Sequence, residues 1–237
     1  MSEFNVLGII PARGQSKRLP RKNLCKLAGK PLLGWAIDAA RQARQLNRLI
    51  VSSDDDEILA LARSYDVRLP LKRPPELAAD DSPAIDYVRH ALATLELDQE
   101  RHYDVVVILQ ATSPFTLPAD IDGTIDLLLA GGADTAVSVM RLDHAVHPVK
   151  LKIMSGDRLL PYLEEERGRM AAADLPEVFV RNCSVYATRR AVIESGRIIG
   201  DDCRGYVMPR ERSVDINEPV DLELAEFLLS RPRGGAN

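Results

Sequence analysis

Arg13, Lys17, Arg18, Arg21 and Lys22 crowd one short run, IIPARGQSKRLPRKN, with no acidic residue between Arg13 and Asn23 to neutralise them. Cations at that density balance a polyanion, while Gly14 and Ser16 leave room for backbone N–H groups to approach phosphate oxygens. The run leaves Val6 to Ile10, a continuously apolar stretch that reads as a strand covered on both faces. A loop at the carboxyl end of such a strand lies where open α/β sheets bind their ligands. Neither G-x-x-x-x-G-K-[ST] nor G-x-G-x-x-G is present, which excludes the ATPase phosphate loop and the dinucleotide fingerprint. The competing reading is a solvated basic loop.

Such a loop needs a sheet to hold it, and the chain supplies the pattern of one. Short β-branched runs alternate with amphipathic stretches, the mark of a layered, mostly parallel α/β sheet. Pro31 opens a helix carrying Leu33, Ile37, Ala40 and Leu46, and Leu49 to Val51 makes the next strand. Asp54 or Asp55 caps a helix with Ile58, Leu61, Ala62 and Tyr65 on one face, and Val67 to Leu69 follows as a brief strand. Ser82 and Pro83 read as N-cap and first residue of a further helix. Val105 to Leu109, the most apolar run, reads as the central strand. Pro118 to Ala130, Thr135 to Val139, Val178 to Ala187 and Pro219 to Ser230 continue as helix, strand, strand and closing helix. Residues 141–176 break the pattern with charge and proline, including an extended Val149 to Ile153 before a Ser155-Gly156 turn. They read as an arm or flap inserted within a single domain spanning residues 1–237.

Bulk properties narrow the class. A net charge of −4 offers no overall field for nucleic acid or an anionic membrane, so any anion site must be local. No apolar run approaches the ~20 residues of a membrane helix, and the opening residues lack a signal peptide's apolar core. Cys25, Cys183 and Cys203 are widely spaced, consistent with reduced thiols in a cytoplasmic protein. His144 and His147 are close, but Pro148 disfavours a helix presenting both to a metal.

The basic loop resembles the opening signature of the acylneuraminate cytidylyltransferase family, the CMP-sialic acid synthetases and their relatives for other nonulosonic acids. Pro11, Ala12, Arg13, Gly14, Ser16, Lys17, Leu19, Pro20, Lys22 and Asn23 match P-A-R-G-G-S-K-x-[IL]-P-x-K-N, with Gln15 in place of the second glycine. Further on, Gln110, Thr112, Ser113 and Pro114 resemble the family's Q-x-T-S-P segment, associated with cytidine and acceptor binding; the alternative is an ST-turn closing a proline-terminated strand. Asp81-Ser82 resembles a nucleotide-side segment, although capping explains Ser82 equally well. Asp174, Leu175, Pro176, Asn182, Ser184 and Tyr186 resemble an acceptor region in which Ala173 replaces a glutamine and Cys183 a glycine.

The last match is Ser213 to Pro219, similar to the family's [SI]-x-D-I-D segment at the metal and reacting centre. Asp215 matches its first aspartate and Asn217 replaces the second. Asn217 can ligate a metal or cap the closing helix, and Asp221 can stabilise that helix's dipole. The resemblance implies a Rossmann-like, three-layer nucleotide-diphospho-sugar transferase fold, a Mg2+ ion on Asp215 and Asn217, and a homodimer joined through the arm. It also implies CTP and a small acidic acceptor as substrates. Ala12, Arg13, Gly14, Ser16, Lys17, Arg21, Lys22, Asn23, Ser82, Gln110, Thr112, Ser113 and Asn182 would then bind ligand. Arg13, Lys22 and Asp215 would carry the catalysis.

Overall fold

The first apolar run forms β1 (Val6–Pro11), buried from Val6 to Ile10 because neighbours cover both faces. The computed structural model of the chain describes residues 4–99, 102–163 and 175–231. After β1 come a small hairpin of β2 (Lys26–Leu27) and β3 (Lys30–Pro31), then α1 (Leu32–Gln42), β4 (Arg48–Ser53), α2 (Asp56–Ser64) and β5 (Leu69–Lys72). The chain continues through α3 (Ala84–Gln99), β6 (Val105–Leu109), α4 (Pro118–Ala130) and β7 (Thr135–Arg141). A second hairpin, β8 (Lys152–Ser155) and β9 (Arg158–Pro161), precedes β10 (Phe179–Arg189), α5 (Arg190–Glu194), β11 (Cys203–Val207) and α6 (Pro219–Ser230).

Among the described residues seven strands form the main sheet in the order β11-β7-β10-β6-β1-β4-β5. All its pairings are parallel except those of β10, which runs antiparallel to both β6 and β7. The most apolar strand, β6, is fully buried and stands in the middle, as its composition predicts. Ile37, Ile58, Ile121 and Ile125 from α1, α2 and α4 pack one face. Val88, Leu92 and Leu95 of α3, with Tyr103 and Ile193, pack the other. A third cluster joins Leu27 and Leu32 to Ile216 and Ala225, seating α6 against the small hairpin.

Strand polarity decides where the site lies. Parallel β1, β4, β5, β6, β7 and β11 deliver their following loops to one edge, and antiparallel β10 begins at that same edge. Residues 12–23, 54–55, 73–83, 110–117 and 208–218 therefore converge there, with Asn182 near the start of β10.

Several expected elements shift. Leu46 lies past the end of α1, and Pro31 precedes its first residue. The brief third strand starts at Leu69 rather than Val67, whose N–H instead bonds the Ala62 carbonyl at the end of α2. Val149 belongs to a single 3-10 turn (Pro148–Lys150), and the extended segment begins at Lys152. Edge strand β11 carries no apolar alternation that would mark it in the sequence, since Cys203, Arg204 and Gly205 are exposed.

Candidate active site

Close packing shapes the loop after β1. The Gly14 N–H donates to Asp54 Oδ1 (2.9 Å), and a Cβ at Gly14 would meet Asp55 Oδ2 at 2.6 Å. Glycine is thus required by the approach of β4's loop, in addition to any ligand. Asn23 is buried and donates Nδ2–H to the Arg13 carbonyl (2.9 Å), pinning the far end of the loop to its start. Ala12 is buried and its N–H extends the sheet to the Ser52 carbonyl (3.0 Å). Arg21 takes a left-handed backbone conformation (φ 53°), a strained turn that precedes Lys22.

Four of the loop's five cations, Arg13, Lys17, Arg18 and Arg21, already have anionic partners. Arg13 and Lys17 both bond Asp80, each at 2.5 Å, and Arg21 reaches Glu57 (2.6 Å) and Asp55 (3.4 Å). Between these groups opens a cleft of about 760 Å³, lined by Arg13, Gly14, Ser16, Lys17, Arg21 and Asp80 among others.

Beside it stands a second centre. Lys22 Nζ donates to Asn217 Oδ1 (3.0 Å), Arg18 donates to the same oxygen (3.1 Å), and Asn217 Nδ2 donates to Asp215 Oδ2 (2.7 Å). Burial lowers the Lys22 pKa, against the opposing pull of Asp215. The other oxygen of Asp215, Oδ1, is buried without a hydrogen-bond partner among the described residues. Buried Ile216 holds the segment down, and its N–H donates to the Thr112 carbonyl (2.8 Å). That bond ties the stretch after β6 to the acidic centre.

The helix-cap reading of Asn217 is corrected. Glu218 is the N-cap of α6, and the Asp221 carboxylate accepts from both the Asn217 and Glu218 N–H groups (2.8 and 2.9 Å). The capping reading of Ser82 is corrected too: its hydroxyl donates to the Glu76 carbonyl (2.6 Å), closing the turn before α3.

Other expected ligand groups serve inside the fold. Asn182 is buried, accepting from Ser138 Oγ (2.6 Å) and donating to Ser213 Oγ (2.8 Å), so it braces the segment leading to Asp215. Cys183 has φ 62°, the left-handed region that favours the glycine expected there. Gln110 is partly exposed beside Ser184, and the buried Ser113 and Ser184 hydroxyls lack partners among the described residues. Sequence reasoning missed Asp80, Arg73 and the Asp120–Arg212 ion pair. Arg73 is buried after β5, donates to the Ser52 carbonyl (2.8 Å) and stacks over Tyr87 at 4.6 Å.

A family model described as Cytidylyltransferase matches residues 7–195, from the first strand through α5. The chain belongs to the cytidylyltransferase family. Among its relatives, "CMP-N,N'-diacetyllegionaminic acid synthase" of Legionella pneumophila is 30% identical, covering 95% of this chain and 97% of that one. "Pseudaminic acid cytidylyltransferase" of Campylobacter jejuni is 28% identical, covering 94% and 95%. "N-acylneuraminate cytidylyltransferase A" of Danio rerio is 33% identical over 96% of this chain, which spans about half (51%) of that longer relative. A solved CMP:2-keto-3-deoxy-manno-octonic acid synthetase complexed with CTP superposes with TM-score 0.68 at 18% identity, covering 95% of this chain and 98% of that one. That likeness establishes a shared cytidylyltransferase fold, the mostly parallel α/β architecture expected from the sequence. No helix among the described residues is long and apolar enough to cross a membrane.

Proposed function

We propose that this cytidylyltransferase transfers CMP from CTP to a sialic-acid-like nonulosonic acid and releases pyrophosphate. The observation that carries the reading is the convergence of the basic cleft and the Asp215 centre through Lys22. The relatives' names, which include neuraminate, pseudaminate and legionaminate enzymes, support the acceptor class.

In the proposed reaction the acceptor's anomeric hydroxyl forms a bond to the α-phosphorus, and the bond from that phosphorus to the β-phosphate oxygen breaks. Positioning and charge neutralisation dominate such transfers. Arg13, Lys17 and Arg21 hold the triphosphate and the departing pyrophosphate. Lys22, poised between the loop and Asn217, meets charge at the reacting phosphate. Asp215 receives the hydroxyl proton, directly or through water.

Magnesium fits the Asp215 centre because the unpartnered buried Oδ1 is a hard anionic oxygen. Among the described residues no cluster of three or more His, Cys, Asp or Glu forms a cage. The remaining ligands would come from the triphosphate, water and Asn217, whose oxygen must first release Lys22 and Arg18. When bound, the ion supplies neutralisation of phosphate charge.

The hairpin of β8 and β9 exposes Ile153, Met154, Leu159 and Leu160, which supports an arm that docks on a second copy to form a homodimer. Light scattering of the intact chain tests that assembly. The acceptor is tested by pyrophosphate release from CTP across a panel of neuraminic, legionaminic and pseudaminic acids, Kdo and phosphonates. Turnover confined to Kdo or a phosphonate would replace the acceptor while keeping the transferase. CTP binding without turnover on any acid would make the chain a nucleotide-binding protein.

A further inference from the structure

Asp80 divides its carboxylate between two cations of the basic loop: Oδ1 takes Arg13 NH1 at 2.5 Å, and Oδ2 takes Lys17 Nζ at 2.5 Å. An anion with one oxygen on each cation is the arrangement a phosphate group would make there. The carboxylate is presented by a built turn. Ala78 N–H bonds the Pro75 carbonyl (2.9 Å), Ser82 N–H bonds the Ala79 carbonyl (3.3 Å), and Ser82 Oγ bonds the Glu76 carbonyl (2.6 Å). The same turn, through Pro75, Ala78, Ala79 and Asp80, walls the cleft opposite the loop.

A surface ion pair of this kind ordinarily adds little to stability, and Asp80 is 43% exposed. Weakness of that order makes the contact releasable without unfolding anything. A tethered carboxylate competes with phosphate at a high effective concentration, since it never diffuses away.

Resting on the reading that this loop holds the triphosphate, we infer that Asp80 is an intramolecular competitor for the terminal phosphates. CTP displaces it on entry. When the bond to the α-phosphorus breaks, the pyrophosphate left on Arg13 and Lys17 is displaced in turn by the returning carboxylate. No covalent step is involved. Asp80 thus weakens pyrophosphate binding and speeds product release.

The test compares inorganic pyrophosphate affinity, by calorimetry in the presence of magnesium, for wild type, Asp80→Asn and Asp81→Asn. Asp81 is the adjacent exposed carboxylate, so its variant removes the same charge without touching either cation. Asp80→Asn should bind pyrophosphate about 3- to 10-fold tighter, and Asp81→Asn should change affinity less than twofold. CMP affinity should not move in either variant. Unchanged or weaker pyrophosphate binding in Asp80→Asn, or an equal gain in Asp81→Asn, would overturn the inference. Arg13→Ala, measured alongside, separates the underlying reading. If that variant keeps full pyrophosphate affinity, the phosphates are not on this loop and both readings fall together.

Discussion

Lys22 and Asn217 stand 195 residues apart in the chain, and the ammonium of one donates to the amide oxygen of the other at 3.0 Å. This contact joins the basic loop after β1 to the acidic segment before α6. It makes residue 217 the link between the proposed phosphate loop and the proposed metal centre.

Replacing Asn217 by Asp keeps the shape and adds a charge facing Lys22, Arg18 and the proposed ion. The magnesium concentration needed for half-maximal turnover should fall, with activity retained. Asn217→Ala should raise that concentration while leaving the melting temperature within a degree or two of wild type, because its side chain does not cap α6. An unchanged magnesium requirement in both variants would remove Asn217 from the proposed metal centre.

The capping role belongs to Asp221. Its carboxylate takes two backbone N–H groups at the start of α6, so Asp221→Ala should cost about 1 kcal/mol in a denaturant titration. Its magnesium dependence should match the wild type. A variant with unaltered stability would contradict this assignment.

The two asparagines at 23 and 182 show where the sequence was legible and where it was not. The strand β6 and the helices α4 and α6 agree with their expected bounds to the residue, because a long apolar period or a proline at the first helical position marks them. Polar type, by contrast, does not reveal which way a side chain faces. Asn23 and Asn182 match positions expected to touch ligand, yet their amides bond the Arg13 carbonyl and the Ser138 and Ser213 hydroxyls. Asp80 and Arg73 lie in a proline-rich connection without periodicity, and only the folded chain brings them to the loop and to Tyr87. The basic loop was readable because its charge density is local in sequence. Its partners were not, because they come from the loops after β4 and β5, from α2 and from the segment before α6.

Gly14 tests how tightly that loop is built. An added methyl would lie 2.7 Å from Asp55 Cβ, and Asp55 caps α2 by accepting from Glu57 and Ile58 N–H. Gly14→Ala should therefore destabilise the fold by about 1–3 kcal/mol and weaken CTP binding together. Loss of neither would mean that the loop can move away from α2 freely.

Arg13 is 37% exposed and contributes no core packing, so Arg13→Ala should fold normally. Losing one charge-assisted phosphate contact should cost about 1.5–3 kcal/mol of CTP affinity. A folded variant with wild-type CTP affinity would restore the solvated-loop reading.

The activity proposed for this chain is transfer of CMP, specifically, to a nonulosonic acid. It is tested most directly by supplying CTP, UTP, ATP and GTP at equal concentration with magnesium and N-acetylneuraminic, legionaminic or pseudaminic acid, and identifying the products by mass spectrometry. A CMP conjugate of at least one acid should form, with equimolar pyrophosphate and no other nucleotide conjugate in comparable amount. A UMP conjugate formed equally well, or no conjugate of any of the three acids, would contradict the proposed activity.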